Sequence, residues 1–290
     1  MTRELSWDGL RVNMPDGMEP VVLDRGFVRL ARPGHVPDHG AGSGGGQVGS
    51  MELRFGPEKS PFDPDRDGRR LLKACGLPGA TFVHVGPSRP ETPGLWAAPE
   101  KNPRLFAVHM RGGMAAMLFP TPPPPDVLQA VMASLDLTPP DAWRSWRCFD
   151  LSFETPPGAI LGRASFKPGS FRLEFRLAGG GLTFDRFVPA DVILGAAGFE
   201  AWLARFLGRE HGDGMTVAPQ GPGQAGFASP VPAWRRVLPW LPAGSERIRG
   251  RARHDAETNR ILMVTARGSS LSEAHFERVC SSYAAADVQG

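Results

Sequence analysis

Two blocks of equal length constrain this chain more than any other feature: Arg54 to Gly76, RFGPEKSPFDPDRDGRRLLKACG, and Arg186 to Gly208, RFVPADVILGAAGFEAWLARFLG. Each opens Arg-Phe-x-Pro, places a leucine (Leu71, Leu203) at the same distance after that proline, and ends on a glycine suited to a helix C-terminus. The spacing predicts an internal repeat. At 290 residues the chain has room for two domains of roughly 100 to 150 residues each. The predicted units are 1–139 and 140–290.

Composition supports globular units with long joints. Apolar residues make up 41% and include 17 phenylalanines, enough to fill two cores, while 36 glycines and 30 prolines predict many turns. The glycine-rich link 33–50 is expected to be mobile, and 210–232 reads as a Pro/Gly-rich insertion in the second unit. A formal charge of +3 does not by itself call for a polyanionic partner. Cys75, Cys148 and Cys280 are far apart and form no Cys-x-x-Cys pair, so they read as small core residues rather than as a disulfide framework or a zinc site. The start, MTRELSWDGL, lacks a basic stretch followed by an apolar run, and no segment reaches about 18 continuous apolar residues. The expectation is a soluble cytoplasmic protein.

Periodicity supplies the elements. Leu10, Val12 and Met14 alternate with Arg11 and Asn13, the period of a half-buried strand, and Pro15-Asp16-Gly17 ends it. Trp7 precedes those apolar positions at the distances by which Trp146 precedes Phe149, Leu151 and Phe153, and Pro156-Pro157-Gly158 again follows. Further strands are predicted at 27–32 and 51–55, and at 171–177 and 182–187, where Arg172, Glu174 and Arg176 line a wet face. A helix follows in each half, thinly apolar in the first (Leu71, Leu72, Cys75) and richly so in the second (Phe199, Trp202, Leu203, Phe206). Hairpins are predicted at 105–119 and 247–266. Each half closes with a helix carrying apolar residues at i, i+3, i+4 and i+7: Leu128, Val131, Met132 and Leu135, against Phe276, Val279, Cys280 and Tyr283. Asp126 is expected to cap the first, and Ser270 with Glu273 the second. The fold class is α+β: two tandem units, each an antiparallel sheet flanked by helices.

The element order, the proline turn after the first strand, and Val-x-x-Ser followed by an apolar residue in the closing helix (Val131 to Leu135, Val279 to Tyr283) resemble the PsbP/Mog-like superfamily, as two copies covering nearly the whole chain. Members include oxygen-evolving photosystem subunits, Ran-binding Mog proteins and adaptor chaperones of type VI secretion effectors. The resemblance implies an α/β/α sandwich that presents its sheet and loops to macromolecules, with no catalytic residues to carry over and no cofactor. Many relatives carry tryptophan after the proline turn, where this chain has Met18 in the first copy and no tryptophan in the second. The expected function is a non-enzymatic adaptor acting as an intramolecular pseudo-dimer with another protein as partner. Two alternatives stand beside it: an enzyme using His109 or His254 and the Arg247 to Arg253 row in a cleft between units on an anionic substrate, and binding of nucleic acid or an acidic membrane surface through that row.

Candidate sites follow from local pattern. Arg247, Arg249, Arg251 and Arg253 alternate along one strand and so share a face, where four guanidinium groups could grip carboxylates or phosphates, or simply solvate an edge strand. Trp234 and Trp240 in AWRRVLPWLP form an apolar patch that could receive a partner segment or pack between the copies. His35, Asp38 and His39 have metal-ligand chemistry, but the prolines and glycines around them oppose a converging helix. Asp63 to Gly68 copies the opening of a calcium loop, yet the twelfth position is Ala74 where a bidentate glutamate is required, and the acidic start of a helix explains the stretch better. The Gly44, Gly46, Gly49 pattern leads into a strand and so faces no pyrophosphate.

Overall fold

The computed structural model describes residues 3–33, 49–56, 66–74, 83–84, 94–97, 105–110, 113–120, 123–230, 247–268 and 271–285. The chain divides into two compact units, Met1–Leu151 and Ser152–Gln289. Both mix antiparallel sheets with a few helices, so the fold class is α+β.

The first unit opens with β1 (Arg3–Trp7) and β2 (Leu10–Met14). The strands β3 (Glu19–Asp24), β4 (Phe27–Ala31) and β5 (Ser50–Gly56) lead to α1 (Arg66–Ala74). Next come β6 (Val83–His84), β7 (Gly94–Ala97), β8 (Leu105–Met110) and β9 (Gly113–Leu118). The unit ends with α2 (Pro125–Ser134), β10 (Asp136–Leu137) and β11 (Arg144–Cys148).

The second begins at β12 (Leu151–Thr155), followed by β13 (Ile160–Lys167), β14 (Ser170–Leu177) and β15 (Gly180–Phe187). Then come α3 (Ala190–Leu194), α4 (Gly198–His211), β16 (Thr216–Gly221) and β17 (Gln224–Ala228). It closes with β18 (Ile248–Asp255), β19 (Arg260–Gly268), α5 (Glu273–Ser282) and β20 (Ala284–Ala285).

Each unit holds a seven-stranded antiparallel sheet, and the two sheets run in corresponding order: β3-β4-β5-β9-β8-β7-β6 in the first and β13-β14-β15-β19-β18-β17-β16 in the second. In the first unit a smaller sheet orders β10-β2-β1-β11, and in the second β20 pairs with β12 as β10 does with β2. Alternation dictates the burial: Leu10, Val12 and Met14 point inward from β2 while Arg11 and Asn13 stay in water. In the first unit Trp7 meets Trp146 edge to face, with ring centroids 5.2 Å apart and both rings buried. The Trp7 indole donates to Asp24 O at 2.8 Å, which satisfies its one polar atom.

The tryptophan register expected from spacing is off by two residues. Trp7 ends β1, whereas Trp146 sits in the middle of β11. The matching positions are Asp8 and Phe149, which turn each hairpin with φ of 49° and 52°. Phe149 is therefore half exposed at a turn instead of facing the core. Caps differ as well: α2 has Pro124 at its N-cap with no side-chain cap, and α5 is capped by Ser272, whose hydroxyl accepts from His275 N at 3.2 Å. The segment read as a Pro/Gly-rich insertion contains the β16–β17 hairpin. Strands β3 and β13, which no alternation announced, pair with β4 and β14 through bulged registers. The link 34–48 lies outside the described residues.

The closing helices share one device. In the first unit the Ser134 hydroxyl donates to Val131 O at 2.8 Å and accepts from Asn13 N at 2.9 Å. In the second, Ser282 donates to Val279 O at 2.8 Å and accepts from Glu154 N at 2.9 Å. The Val-x-x-Ser pattern is thus a latch that ties a helix end to a strand of its own unit, β2 in the first and β12 in the second. Cys148 and Cys280 are buried, and burial pushes the Cys280 thiol up to about 12.

Candidate functional site

The second unit's sheet is treated differently on its two faces. On one, Trp202, Leu203, Phe206 and Leu207 of α4 pack on Ala225, Phe227, Ala252, Ile261 and Met263 of β17, β18 and β19. Gly250 lies under the Phe227 ring on this face, and any Cβ there would collide with it. The same face beyond α4 is polar. Register places Arg163, Glu174, Thr183 and Thr265 in one row across β13, β14, β15 and β19. A second row aligns Arg172 with Asp185, and a third aligns Arg176, Gly181 and Arg267.

These rows and the end of α4 enclose a groove of about 600 Å³, lined by Arg163, Arg172, Arg176 and Arg267 together with Glu174, Asp185, Glu210 and His211. Four arginines face three carboxylates. Arg172 Nε donates to Asp185 at 2.6 Å and its Nη1 to Glu210 at 2.9 Å, so α4 reaches down and clamps the guanidinium. Burial opposes the charge of Arg172, but the hydrogen bonds to Asp185 and Glu210 outweigh it and raise its pKa. Burial dominates at Asp185 itself and pushes the carboxyl up to about 6 against the pull of Arg172. His211 Nδ1 lies 3.2 Å from Arg267 Nη2. Burial first, and Arg267 next, lower the His211 pKa, which favours the uncharged imidazole, and because a guanidinium can only donate, Nδ1 is the acceptor in this contact. At the floor Thr265 is 3% exposed and its hydroxyl has no hydrogen-bond partner among the described residues.

The opposite face receives the arginine row. β18 lies between β17 and β19, so it is an interior strand and not a solvated edge. Arg249 pairs with Glu273, donates to Leu271 O, and stacks over the Phe276 ring at 4.5 Å. Arg251 grips Glu277 with both Nη atoms, at 3.0 and 2.6 Å. Arg253 donates to Tyr283 O at 2.8 Å, at the end of α5. Three of the four guanidinium groups therefore dock α5. Arg247 stands outside that row's ladder, exposed, with its carbonyl accepting from Gly268 N.

Trp234 and Trp240, and likewise His35, Asp38 and His39, lie outside the described residues. Of the calcium-like stretch, Asp67 to Ala74 belongs to α1, so the backbone there is helical and not looped around an ion. His254 sits on β18 with its ring stacked on Phe199 at 6.4 Å. Among the described residues no three His, Cys, Asp or Glu side chains gather as metal ligands, and no helix is long and apolar enough to cross a membrane. Sequence reasoning recognised the wet face of β14 but not the groove, because Glu210, His211, Thr265 and Arg267 come from elements far along the chain. The usable signal was the charged tail, Arg209-Glu210-His211, directly after the apolar stripe of α4.

No protein-family model matches this chain, and no curated protein matches it. Among solved structures, it is similar to the type VI secretion immunity protein TplEi from Pseudomonas aeruginosa, complexed with an "L" peptide, at 8% identity and a TM-score of 0.31, covering 98% of each chain. It is also similar to MucB in complex with periplasmic MucA, at 13% identity and a TM-score of 0.20, covering 82% of this chain and 88% of that one.

Proposed function

We propose that this chain is a non-enzymatic cytoplasmic adaptor that binds another protein, built as an intramolecular pseudo-dimer of two PsbP/Mog-like α/β/α units. The groove beside α4 carries the reading. It is a half-open sheet face lined by guanidinium, carboxylate and hydroxyl groups, a surface suited to an extended polypeptide with polar side chains. The sandwich is supported in the second unit by α4 and α5, which meet alternate residues of β18: Ala252 toward α4, Arg251 and Arg253 toward α5. The corresponding strand orders of the two sheets support a duplicated unit, and two related surfaces in one chain raise effective concentration for an elongated partner.

Site-specific photo-crosslinking in lysate of the source organism tests this. A photoreactive residue at Arg163 or Arg176 on the groove is expected to capture one discrete protein that one at Val192, 74% exposed on α3, does not capture. Absence of a discrete adduct from both groove positions, or the same adduct from Val192, overturns the proposal.

A further inference from the structure

The third row of the groove has a gap at its centre. Arg176, Gly181 and Arg267 are neighbours across β14, β15 and β19, and Gly181 contributes no side chain between the two arginines, both of which line the groove. Among the described residues Arg176 has no hydrogen bond or ion pair, and the Arg267 side chain has His211 as its one hydrogen-bond partner. One pleat along, Thr183 faces Thr265, a residue of the groove lining whose buried hydroxyl has no hydrogen-bond partner among the described residues. A buried hydroxyl without a partner is uncommon and marks a place where a ligand atom can supply one.

We propose that the gap above Gly181 binds the carboxylate of an acidic side chain from the partner protein, held by Arg176 and Arg267 with the Thr265 hydroxyl donating from below. This rests on the protein-binding reading and specifies its chemistry. Charge selects the occupant. Asp185 and Glu210 are both engaged by Arg172, which leaves Arg163, Arg176 and Arg267 against Glu174 alone. The lining as a whole carries one net positive charge, which suits a monoanion better than a phosphate dianion. Planar guanidinium forks match the two oxygens of a carboxylate. His211 positions Arg267, and Glu210 on the same helix end positions Arg172, so α4 orients the cationic side of the groove.

The test uses the full chain with labelled Thr methyls and Arg Nε, titrated to millimolar concentration with the peptide Ac-Ala-Glu-Ala-Glu-Ala-amide, its Gln counterpart and inorganic phosphate. The Glu peptide is expected to shift Thr265 and Arg267 saturably while leaving Arg249 in place. Arg176→Gln with Arg267→Gln should weaken binding at least about tenfold, as should the near-isosteric Thr265→Val. The proposal is overturned if the Gln peptide shifts the same resonances equally, if the double variant binds within about twofold of the parent, if the Glu peptide shifts nothing, or if phosphate displaces it at equal concentration. Unchanged chemical shifts elsewhere certify that each variant is folded. Should the peptide fail while the groove crosslink persists, the carboxylate site falls and the adaptor reading stands; loss of the crosslink in the parent protein removes the adaptor reading regardless of the peptide.

Discussion

Ser134 and Ser282 make the same two hydrogen bonds in their respective units: each hydroxyl donates to the carbonyl of a valine three residues earlier and accepts from a strand amide, that of Asn13 on β2 or Glu154 on β12. A helix end and a strand are thereby joined without a long side chain. The amide of Glu154 is more sheltered than that of Asn13, so the two latches should differ in worth. Ser282→Ala is expected to destabilise the second unit by about 1 to 2 kcal/mol and Ser134→Ala the first by less, because water can replace the hydroxyl at an exposed amide. Urea unfolding of each variant measures this; equal and negligible effects would show that neither latch matters.

The arginine row on β18 yields a charge-reversal prediction. Arg251→Glu would place its carboxylate against Glu277 and near Glu273, at a cost of about 1 to 2 kcal/mol in stability. Adding Glu277→Arg should recover most of the loss, since the bidentate pair re-forms in the opposite sense. Thermal melts of the two single variants and the double variant form the cycle. Rescue would mark the row as a dock for α5; no loss in Arg251→Glu would return those guanidinium groups to the pool of ligand-binding candidates.

Asp185 makes the stability of the second unit pH-dependent. Burial raises its folded-state pKa to about 6, above the ordinary 3.8, so the folded state holds the proton more tightly than the unfolded chain does. The associated stabilisation is fully present below about pH 4 and is lost as pH rises through about 6, a swing of up to about 3 kcal/mol. Asp185→Asn is expected to flatten the stability profile across that window. Chemical denaturation between pH 4 and 7 measures the slope, and an identical slope in the variant would assign the titration to another group.

Gly250 should tolerate no side chain. A Cβ at this position would run into the Phe227 ring and the Val264 carbonyl, both fixed by neighbouring strands of one sheet. Gly250→Ala is expected to cost at least about 2 kcal/mol, and Phe227→Leu in the same chain should return part of it by making room. Equilibrium unfolding of the pair decides the point.

Which segments become strands and helices is legible in the chain wherever one face had to be buried. Alternation at Leu10 to Met14 and Phe171 to Leu177 placed β2 and β14 within a residue, and the i, i+3, i+4, i+7 stripes marked α2 and α5. Period is a local property, set by the geometry of two or 3.6 residues per repeat, so it can be read from one segment at a time. Strands such as β3 and β13, broken by bulges and half exposed, carried no clean period and stayed silent.

What each polar face meets depends on the packing of elements distant in the chain. Alternation gave Arg249, Arg251 and Arg253 a common side of β18, but only the docking of α5 turned them from free guanidinium groups into partners of Glu273, Glu277 and Tyr283 O. The same holds for Arg172, Arg176, Thr265 and Arg267, which are brought together by strand pairing across about a hundred residues and closed off by the end of α4. A charge shows its chemical type in the sequence, whereas its desolvation and its partners depend on which distant element covers it, and that is a property of the assembled sheet.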